Sequence, residues 1–403
     1  MKKLLAFLLS VAMLLGIVSF AAAADTVNLL VWVGDDADQA WINGVIDNFK
    51  AANPGTTFDI KVGIQSESTA KATVLTDITA AADVYTFADD QLGELVNAGA
   101  LQPVALNAED VIARNTAGSV AAATVDGMLY AYPATADNGY FMFYNKEYLT
   151  EEDVMTLDKM MEVAAAAGKK VSMDWSSGWY LYSFFQGAGL TMTLSDDGVT
   201  NVCNWNAADT PITGVQVAEA MLAIAKNAGF INQGDGEFVT GIKDGTVIAG
   251  VNGTWNATAA QEAWGDNYAA TKLPTYTVAG QQAQMASFAG YKLVGVNAYS
   301  ANVGWAMQFA DFMTNEQSQI SRFVIRGQGP SNLVAGASAE VQASPAIAAL
   351  AAQSAYATTQ RVGGNYWTPA ASFGAIIYGG NADGTDLQTL LDNMVAGITA
   401  AVN

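Results

Sequence analysis

Apolar runs separated by polar breaks predict an α/β fold for the first part of the chain. Residues 27–33 (VNLLVWV) are apolar at nearly every position, which predicts a strand buried on both faces. Apolar residues then recur at helical spacing from Trp41 to Phe49, with Asp38 as the expected N-cap, and 57–62 (TFDIKV) predicts a second strand. A strand, a helix and a strand at such short spacing predict a parallel βαβ unit.

The same alternation continues along the rest of the chain. A helix over 67–82 and a strand over 83–87 follow the first unit. Later periodic segments predict helices at 160–168, 215–229, 305–322 and 387–402, and short strands at 170–174, 247–251 and 293–296. No flexible linker separates these segments, yet the chain is longer than the usual length of a domain with a single hydrophobic core. We therefore expect two lobes, with several crossings of the chain between them.

The first two dozen residues are typical of a secretory signal peptide. Lys2 and Lys3 precede an apolar stretch over 4–18, and small residues at 22–24 offer a cleavage site. The stretch is too short for a stable membrane span. We expect cleavage near Ala24 and no lipid anchor, because no cysteine follows the apolar stretch. Export would lead to a periplasm or, alternatively, to secretion or association with the cell surface.

Composition excludes several classes of chemistry. Acidic residues outnumber basic ones by 38 to 17, a formal net charge of −21, so the surface repels phosphate and nucleic acid is not an expected partner. The chain has no histidine and one cysteine, Cys203, which excludes Ser-His-Asp and Cys-His triads and histidine-ligated metal sites. We expect no cofactor and no metal, and an enzyme would be left mostly with carboxylate chemistry.

Three loops that follow predicted strands carry carboxylates and amides. They are 34–38 (GDDAD), 63–67 (GIQSE) and 88–91 (ADDQ), and none of them contains lysine or arginine. Ligands of open α/β sheets bind beyond the carboxyl ends of the strands, so these loops predict a rim that accepts hydrogen bonds and offers nothing to a phosphate. The alternative is that the acids cap helices, and for Asp36 and Asp90 both interpretations stay open.

Aromatic residues in polar or glycine-containing segments add a second feature. Trp179 and Tyr180 follow Ser-Ser-Gly, Trp255 lies in Asn-Gly-Thr-Trp-Asn, and Trp367 lies in Asn-Tyr-Trp-Thr-Pro. The apolar face of a sugar ring packs on an aromatic ring, and its hydroxyls suit carboxylates and amides as acceptors. Packing inside a lobe is the competing explanation for these rings.

Five segments in register resemble the maltose/maltodextrin-binding group of the extracellular solute-binding proteins of ABC transporters. The segments are VWVGDD (31–36), DVYTFADDQLGELVNAGAL (83–101), LYAYPATADNGYFMFYNKEYL (129–149), GTVIAGVNGTWN (245–256), and GYKLVGVNAYS (290–300) followed by WAMQFADFMTNEQSQ (305–319). The resemblance extends over nearly the whole chain after the signal peptide.

The resemblance implies a two-lobed periplasmic-binding-protein fold of type II, an α/β fold with discontinuous lobes around a ligand cleft. The implied N-lobe comprises residues 25–135 and 290–314, and the implied C-lobe comprises 138–287 and 317–403. The three crossings of the hinge would lie near 135–138, 287–291 and 314–317.

The resemblance also implies which residues contact a ligand. Asp36 and Asp90 would accept hydroxyl hydrogen bonds, and Trp255 would be the strongest stacking ring. The complete implied set is Asp35, Asp36, Glu67, Asp90, Asp137, Asn138, Trp179, Tyr180, Trp255 and Trp367. Two positions depart from the family pattern: Ala37 stands where the family has a cation, and Gln91 stands where an arginine can occur.

The implied function is that of a monomeric binding subunit and not of an enzyme. It would capture maltose or a maltooligosaccharide by lobe closure and deliver it to the permease subunits of an ABC transporter in the membrane. Two alternatives stay open. Another sugar, or a cationic amine such as a polyamine, could occupy an acidic and aromatic cleft. A glycosidase could use two carboxylates, for example those of Asp36 and Asp137.

Overall fold

The computed structural model of the protein describes residues 26–401, so the predicted signal peptide at 1–24 lies outside the described residues. The strands are, in chain order, β1 (Val27–Val33), β2 (Phe58–Ile64), β3 (Val84–Ala88), β4 (Thr124–Val125), β5 (Met128–Leu129), β6 (Ala131–Thr135), β7 (Phe141–Asn145), β8 (Lys170–Ser172), β9 (Met192–Leu194), β10 (Asn201–Cys203), β11 (Phe230–Ile231), β12 (Val247–Asn252), β13 (Tyr268–Thr271), β14 (Thr275–Val278), β15 (Gln281–Gln284), β16 (Ser287–Ala289), β17 (Lys292–Val296) and β18 (Ala357–Thr359).

The α-helices are, in chain order, α1 (Gln39–Ala52), α2 (Ala70–Thr76), α3 (Leu92–Asn97), α4 (Ala108–Arg114), α5 (Ala117–Ala122), α6 (Leu157–Ala166), α7 (Gly178–Gly187), α8 (Gly214–Ala225), α9 (Asp235–Lys243), α10 (Ala257–Trp264), α11 (Val303–Met313), α12 (Glu316–Arg326), α13 (Leu333–Gly336), α14 (Ala339–Gln342), α15 (Pro345–Gln353), α16 (Trp367–Tyr378) and α17 (Leu387–Ile398). Within residues 26–401, none of them combines the length and the apolar character that a membrane span requires.

A mixed sheet of five strands in the order β2-β1-β3-β17-β6 organises one half of the molecule, which we call the N-lobe. β1 pairs in parallel with β2 and with β3, and α1 connects β1 to β2, which confirms the predicted βαβ unit. β17 joins from far along the chain and runs antiparallel to β3 and β6. Helices α1 and α11 meet in the core, where the rings of Phe49 and Phe309 lie 5.1 Å apart, edge to face.

β1 is buried on one face only, so the prediction that both faces are buried is wrong. Along the strand, buried side chains such as Val31 alternate with the exposed Asn28 and the half-buried Trp32. The helix after β2 is shorter than the predicted 67–82, because the chain turns at Asp77 and ends α2. Helix α2 lies beside Trp32 and covers only part of this second face.

A second sheet of five strands, in the order β11-β8-β12-β7-β13, organises the other half, the C-lobe. β8 pairs in parallel with β11 and β12, whereas β7 runs antiparallel to β12 and β13. Its core is separate from that of the N-lobe and is rich in aromatic rings, including the fully buried Trp175 and Trp205. Phe185 stacks on Trp205 with ring centroids 4.3 Å apart. The two sheets with separate cores agree with the expected pair of α/β lobes.

The later elements lie close to their predicted positions, with one exception. Strands β8, β12 and β17 and helices α6, α8 and α17 overlap the predicted segments. The helix predicted over 305–322 is two helices, α11 and α12. The Asn315 side chain accepts the Ser318 N–H at 2.9 Å, and this N-cap begins a new helix soon after α11 ends at Met313.

Helix α12 has a buried polar side and an exposed apolar side. Ser318, Arg322 and Arg326 are buried, while Val324 is 64% exposed. Trp41 of α1 donates its indole N–H to the Ser318 carbonyl at 2.9 Å. The inner side of α12 therefore contacts polar groups of the N-lobe in place of a hydrophobic core.

The chain passes between the two sheets through short connections. It leaves β6 at Thr135 and enters β7 at Phe141, and two residues separate β16 from β17. Helix α12 contacts both lobes, since it reaches Trp41 near its start and its C-cap Gly327 lies next to Ala257 of α10. The crossings near 135–138, 287–291 and 314–317 and the lobe boundaries stay predictions.

Candidate functional site

The three predicted loops meet beyond the carboxyl ends of β1, β2 and β3. The carbonyl of Glu67 accepts the Ala88 N–H at 3.2 Å and the Gln91 side-chain amide at 2.6 Å, which joins the second loop to the third. Gly34 of the first loop lies so close to Glu67 that an added Cβ would be 3.0 Å from Glu67 Cδ. Gln91, which stands where the resemblance allows an arginine, is buried and joins two loops through its side-chain amide.

Asp38 holds the predicted N-cap position directly before α1, but the side chain that closes the first loop is that of Asp35. Asp35 Oδ1 accepts the N–H of Ala37 at 2.8 Å and of Asp38 at 3.2 Å, whereas the Asp38 side chain makes no capping hydrogen bond. The buried Asp38 carboxylate instead accepts Arg326 Nε at 2.9 Å, and Arg326 Nη2 donates to Asp35 Oδ2 at 2.7 Å. Asp36 is exposed, and no residue within 26–401 donates a hydrogen bond to its carboxylate.

The rim of the site contains cations, so the prediction of a rim without lysine or arginine is wrong. Four cations form ion pairs with acids of the three loops: Lys292, Arg322, Arg326 and Arg361. They come from the start of β17, from α12 and from the segment after β18. Because these segments are distant in the chain, only the folded sheet brings them to the loops.

Glu67 is buried and held by two of these cations. Lys292 Nζ lies 2.5 Å from Glu67 Oε2, and Arg322 Nη2 lies 3.2 Å from Oε1. Burial alone would raise the pKa of the Glu67 carboxyl, but the positive charges of Lys292 and Arg322 outweigh burial and hold this pKa below its ordinary value. Glu67 is therefore an ionised carboxylate with both oxygens engaged by the protein.

The two acids of the third loop differ in their partners. Asp89 Oδ1 accepts the Tyr291 N–H at 3.0 Å, and Asp89 Oδ2 accepts Arg361 Nη1 at 2.8 Å. Asp90 Oδ1 is buried and has no hydrogen-bond partner among the residues that the structure describes. Burial, together with the negative charge of Asp89, raises the pKa of Asp90 to about 7. A buried acceptor without a donor is costly, so Asp90 is well suited to an outside donor.

Asp137 and Asn138 lie in the first connection between the sheets, and both are buried. Asp137 Oδ2 accepts hydrogen bonds from the Thr254 hydroxyl and from the Gly329 N–H, which ties the connection to the loop after β12. Asn138 donates its N–H to the Gly290 carbonyl in the second connection at 3.3 Å. Both residues hold the connections together, and a direct contact of either with a ligand stays a prediction.

Trp179 and Tyr180 lie near the start of α7 but have different surroundings. Trp179 is half-buried, with its ring centroid 5.3 Å from that of Phe288 and 5.4 Å from that of Tyr140. Tyr180 is buried in the C-lobe core, and its hydroxyl lies 3.5 Å from Asp235 Oδ1. Trp179 is therefore partly accessible to solvent, whereas Tyr180 is not.

Trp255 follows β12 and is half-buried where the two lobes meet. The six-membered ring of its indole lies against Gly253, where an added Cβ would be 2.0 Å from Trp255 Cζ3, so a side chain at position 253 would displace the ring. Lys292 of the N-lobe lies over the indole, with Nζ 5.5 Å from the ring centroid. Asn252 donates its side-chain amide to Asp235 Oδ1 at 3.0 Å, which fixes this loop to the start of α9.

Trp367 begins α16 and lies near Trp179. Its half-buried ring meets that of Tyr366 edge to face, with centroids 5.1 Å apart. The Tyr366 hydroxyl donates to the carbonyl of Gly178, the residue before Trp179, at 2.7 Å. The C-lobe thus carries three half-buried indoles: Trp179 near the start of α7, Trp255 in the loop after β12 and Trp367 at the start of α16.

Several polar residues of this site could not be identified from local sequence patterns. They are Asp235, Lys292, Arg322, Arg326 and Arg361. Lys292 had one available signal, because it begins a strand whose register sets it opposite Ala88, next to the third loop. The three arginines lie in no motif. Within residues 26–401, no cluster of three or more acidic or cysteine side chains is arranged to hold a metal ion.

Two α/β lobes that meet around polar loops and half-buried indoles define the class of two-lobed binding proteins. Residues 44–349 match a family described as bacterial extracellular solute-binding protein. The chain belongs to this family, which confirms the family resemblance and the two-lobed α/β fold expected from the sequence. The family and the similar structures are binding proteins and not enzymes.

Individual relatives agree with this assignment. The chain is 28% identical over 318 residues to the galactooligosaccharide-binding protein of Bacillus subtilis (strain 168), covering 75% of this chain and 73% of that protein. A structure solved with acarbose is 31% identical, with a TM-score of 0.81 over 94% of this chain and 99% of that one. The maltodextrin-binding protein MalE1 from L. casei BL23, solved without ligand, is 25% identical, with a TM-score of 0.74 over 93% and 100% of the two chains.

Proposed function

We propose that the protein is the extracytoplasmic binding subunit of an ABC sugar transporter and captures maltose or a maltooligosaccharide. Two similar structures support this ligand class, one solved with acarbose and one of a maltodextrin-binding protein. The Bacillus subtilis relative is named for galactooligosaccharide binding, so another neutral oligosaccharide is the second candidate.

The observation that carries the proposal is the meeting of an indole and carboxylates from opposite lobes. Trp255 of the C-lobe and Glu67 of the N-lobe both contact Lys292, and the Asp90 oxygen without a partner lies on a loop that Gln91 joins to Glu67. An apolar sugar face on an indole contributes about 25 cal/mol per Å² of buried surface. Each hydroxyl donated to a carboxylate adds roughly 1.5–3 kcal/mol when water is excluded.

Of the ten predicted contact residues, we propose direct ligand contacts for those with free acceptors or half-buried indoles: Asp36, Asp90, Trp179, Trp255 and Trp367. The other five are engaged by the protein and are proposed to hold the site in shape before a ligand binds: Asp35, Glu67, Asp137, Asn138 and Tyr180.

Ligand capture is proposed to bring the lobes together. A sugar that contacts both lobes only in the closed form shifts the open–closed equilibrium by its difference in affinity for the two forms. The proposed moving bodies are residues 25–135 with 290–314, and 138–287 with 317–403. Hydrogen bonds in the connections, such as that of Asn138 to Gly290, would keep one edge of the cleft fixed.

The ion pairs of the site disfavour a cationic amine as the ligand. Asp38, Glu67 and Asp89 each have an arginine or lysine partner, so much of the negative charge of the loops is already compensated. A polyamine would have to compete with these partly buried pairs. A neutral oligosaccharide needs only the acceptors that remain at Asp36 and Asp90.

A glycosidase that uses Asp36 and Asp137 is disfavoured by the state of Asp137. This carboxylate is 2% exposed and accepts two hydrogen bonds from the protein. Such limited exposure restricts the direct access to a sugar carbon or to a water that a nucleophile or general base needs. We therefore propose binding without bond cleavage.

The rest of the transport role belongs to the same proposal. The family is extracellular, and the segment at 1–24 is proposed to direct export to a periplasm without a lipid anchor. The protein is proposed to act as a monomer that docks on the permease subunits in the membrane. A binding protein without a lipid anchor stays near that permease when a periplasm confines it.

A thermal-shift panel followed by calorimetry tests the ligand class. The panel contains maltose, maltotriose, a galactooligosaccharide, lactose and spermidine, because only a ligand of the folded state raises the melting temperature. We expect maltotriose to give the largest rise and spermidine none. A rise with spermidine alone contradicts the proposal, and release of reducing ends from maltotriose would assign the protein to the hydrolases.

A further inference from the structure

Lys292 contacts charged and aromatic groups of both lobes at once. Its ammonium lies 2.5 Å from Glu67 Oε2 in the N-lobe and 5.5 Å from the centroid of Trp255 in the C-lobe. The Lys292 side chain is only 12% exposed, so the ammonium is held between these two partners. A cation at this distance over an indole is attracted by the negative face of the ring.

Part of the indole is also covered by the protein backbone. Gly253 lies against the six-membered ring, so closely that an added Cβ would be 2.0 Å from Cζ3 and 2.1 Å from Cη2. A sugar cannot stack there without moving the backbone of the loop after β12. The part of the ring that the Lys292 ammonium covers can be opened by a side-chain movement alone, since a lysine stem has four rotatable bonds.

We infer that Lys292 competes with the sugar for the face of Trp255, and so sets the affinity of the site and the sugar concentration needed to occupy it. This inference rests on the proposed function. A pyranose that stacks on the part of the Trp255 ring under the ammonium must first displace it. The same movement frees Glu67 Oε2 to accept a sugar hydroxyl, while Arg322 continues to compensate the Glu67 charge through Oε1. One side chain thereby couples the release of a stacking face in one lobe to the release of an acceptor in the other.

The chain offers a matched control for this lysine. Lys272 is also half-buried, lies 5.3 Å from the centroid of the Tyr356 ring, and contacts Gln284 Oε1. It belongs to the C-lobe and touches neither Trp255 nor Glu67. Lys272→Met therefore removes a cation over an aromatic ring without changing the proposed site.

The first measurement needs no sugar. The indole N–H resonance of Trp255, assigned by its loss in Trp255→Phe, is recorded in ¹H–¹⁵N spectra of the wild type, Lys292→Met and Lys272→Met. We expect a shift of this resonance in Lys292→Met and none in Lys272→Met. An unchanged resonance in Lys292→Met would show that the ammonium does not lie over the indole and would overturn the inference.

The second measurement is calorimetry with maltotriose on the same proteins. Loss of the competing cation is expected to tighten binding by about three- to tenfold in Lys292→Met, with no change in Lys272→Met. In the Trp255→Ala background the same substitution should give no gain, because the competed face is gone. Equal binding in Lys292→Met would overturn the inference. Weaker binding would also overturn it and would indicate that Lys292 donates a hydrogen bond to the sugar.

The two proposals can fail separately. If the wild type binds maltotriose and Lys292→Met shows no gain, the proposed function stands and the competition is wrong. If neither the wild type nor Lys292→Met binds any oligosaccharide of the panel, the proposed function is wrong and the inference falls with it.

Discussion

Arg326 donates its Nε–H to the carboxylate of Asp38 at 2.9 Å, although the two residues lie 288 positions apart in the chain. The same guanidinium donates to Asp35, which closes the first loop. Arg326 of α12 thus supplies a positive charge to the first loop. In that loop Ala37 stands at the position where the resemblance implies a cation. The pair is buried, and a buried carboxylate without its partner is destabilising by roughly 3–5 kcal/mol.

Arg326→Met is therefore expected to lower the free energy of unfolding by about 3 kcal/mol or more. Urea unfolding followed by circular dichroism measures the change. Lys159→Met, which removes only an exposed pair with Glu162, should leave the midpoint nearly unchanged. Equal midpoints for Arg326→Met and the wild type would show that the Arg326–Asp38 pair does not stabilise the fold.

Asp90 predicts a dependence of stability on pH. Its pKa in the folded protein is about 7, above the ordinary value of 3.8, so between these values the folded protein binds more protons than the unfolded chain. Stability contributed by this group is therefore lost as pH rises through that window. Asp90→Asn removes the titration. The melting temperature of Asp90→Asn minus that of the wild type should be larger at pH 8 than at pH 4.5, by at least about 2 °C.

The comparison of melting temperatures at the two pH values is the control for Asp90, since an effect of the amide on packing would be the same at both. A difference between the proteins that does not change with pH would mean that Asp90 titrates like an exposed carboxyl.

The close contact between Gly253 and Trp255 predicts that no side chain fits at position 253 while the indole keeps its position. Gly253→Ala places a methyl group 2.0 Å from Trp255 Cζ3, so the indole must leave its position. We expect maltotriose affinity to fall by roughly tenfold or more, the equivalent of about 1.4 kcal/mol. Gly304→Ala is the control, because an added Cβ there meets no atom within 4 Å. Unchanged affinity in Gly253→Ala would show that sugar binding does not need the present position of Trp255.

Asp36 predicts a loss of binding without a loss of stability. Its carboxylate is exposed and receives no hydrogen bond from the described residues 26–401, so the fold does not depend on it. Asp36→Ala should weaken maltotriose binding by about tenfold, the loss of one hydroxyl–carboxylate hydrogen bond. Calorimetry gives the affinity and thermal unfolding gives the stability. Wild-type affinity in Asp36→Ala would mean that the ligand does not reach the first loop.

The local parts of the fold were predictable, and the charges of the site were not. The unit β1-α1-β2 follows from apolar periodicity and turn residues within one short segment, and its ends were found to within about two residues. The division of 305–322 into two helices depends on the Asn315 side chain, whose hydrogen bond with the Ser318 N–H begins a second helix. The ion pairs of Glu67, Asp38 and Asp89 join segments more than 200 positions apart, and no single-sequence pattern encodes such pairing.

Small-angle X-ray scattering with and without maltotriose tests most directly the central claim that two lobes close on an uncharged oligosaccharide. The wild type should show a smaller radius of gyration at saturating maltotriose, and spermidine should leave it unchanged. Trp255→Ala, measured at the same sugar concentration, should show a smaller decrease because less of the protein is occupied. An identical scattering profile with maltotriose bound, as established by calorimetry on the same sample, would contradict closure.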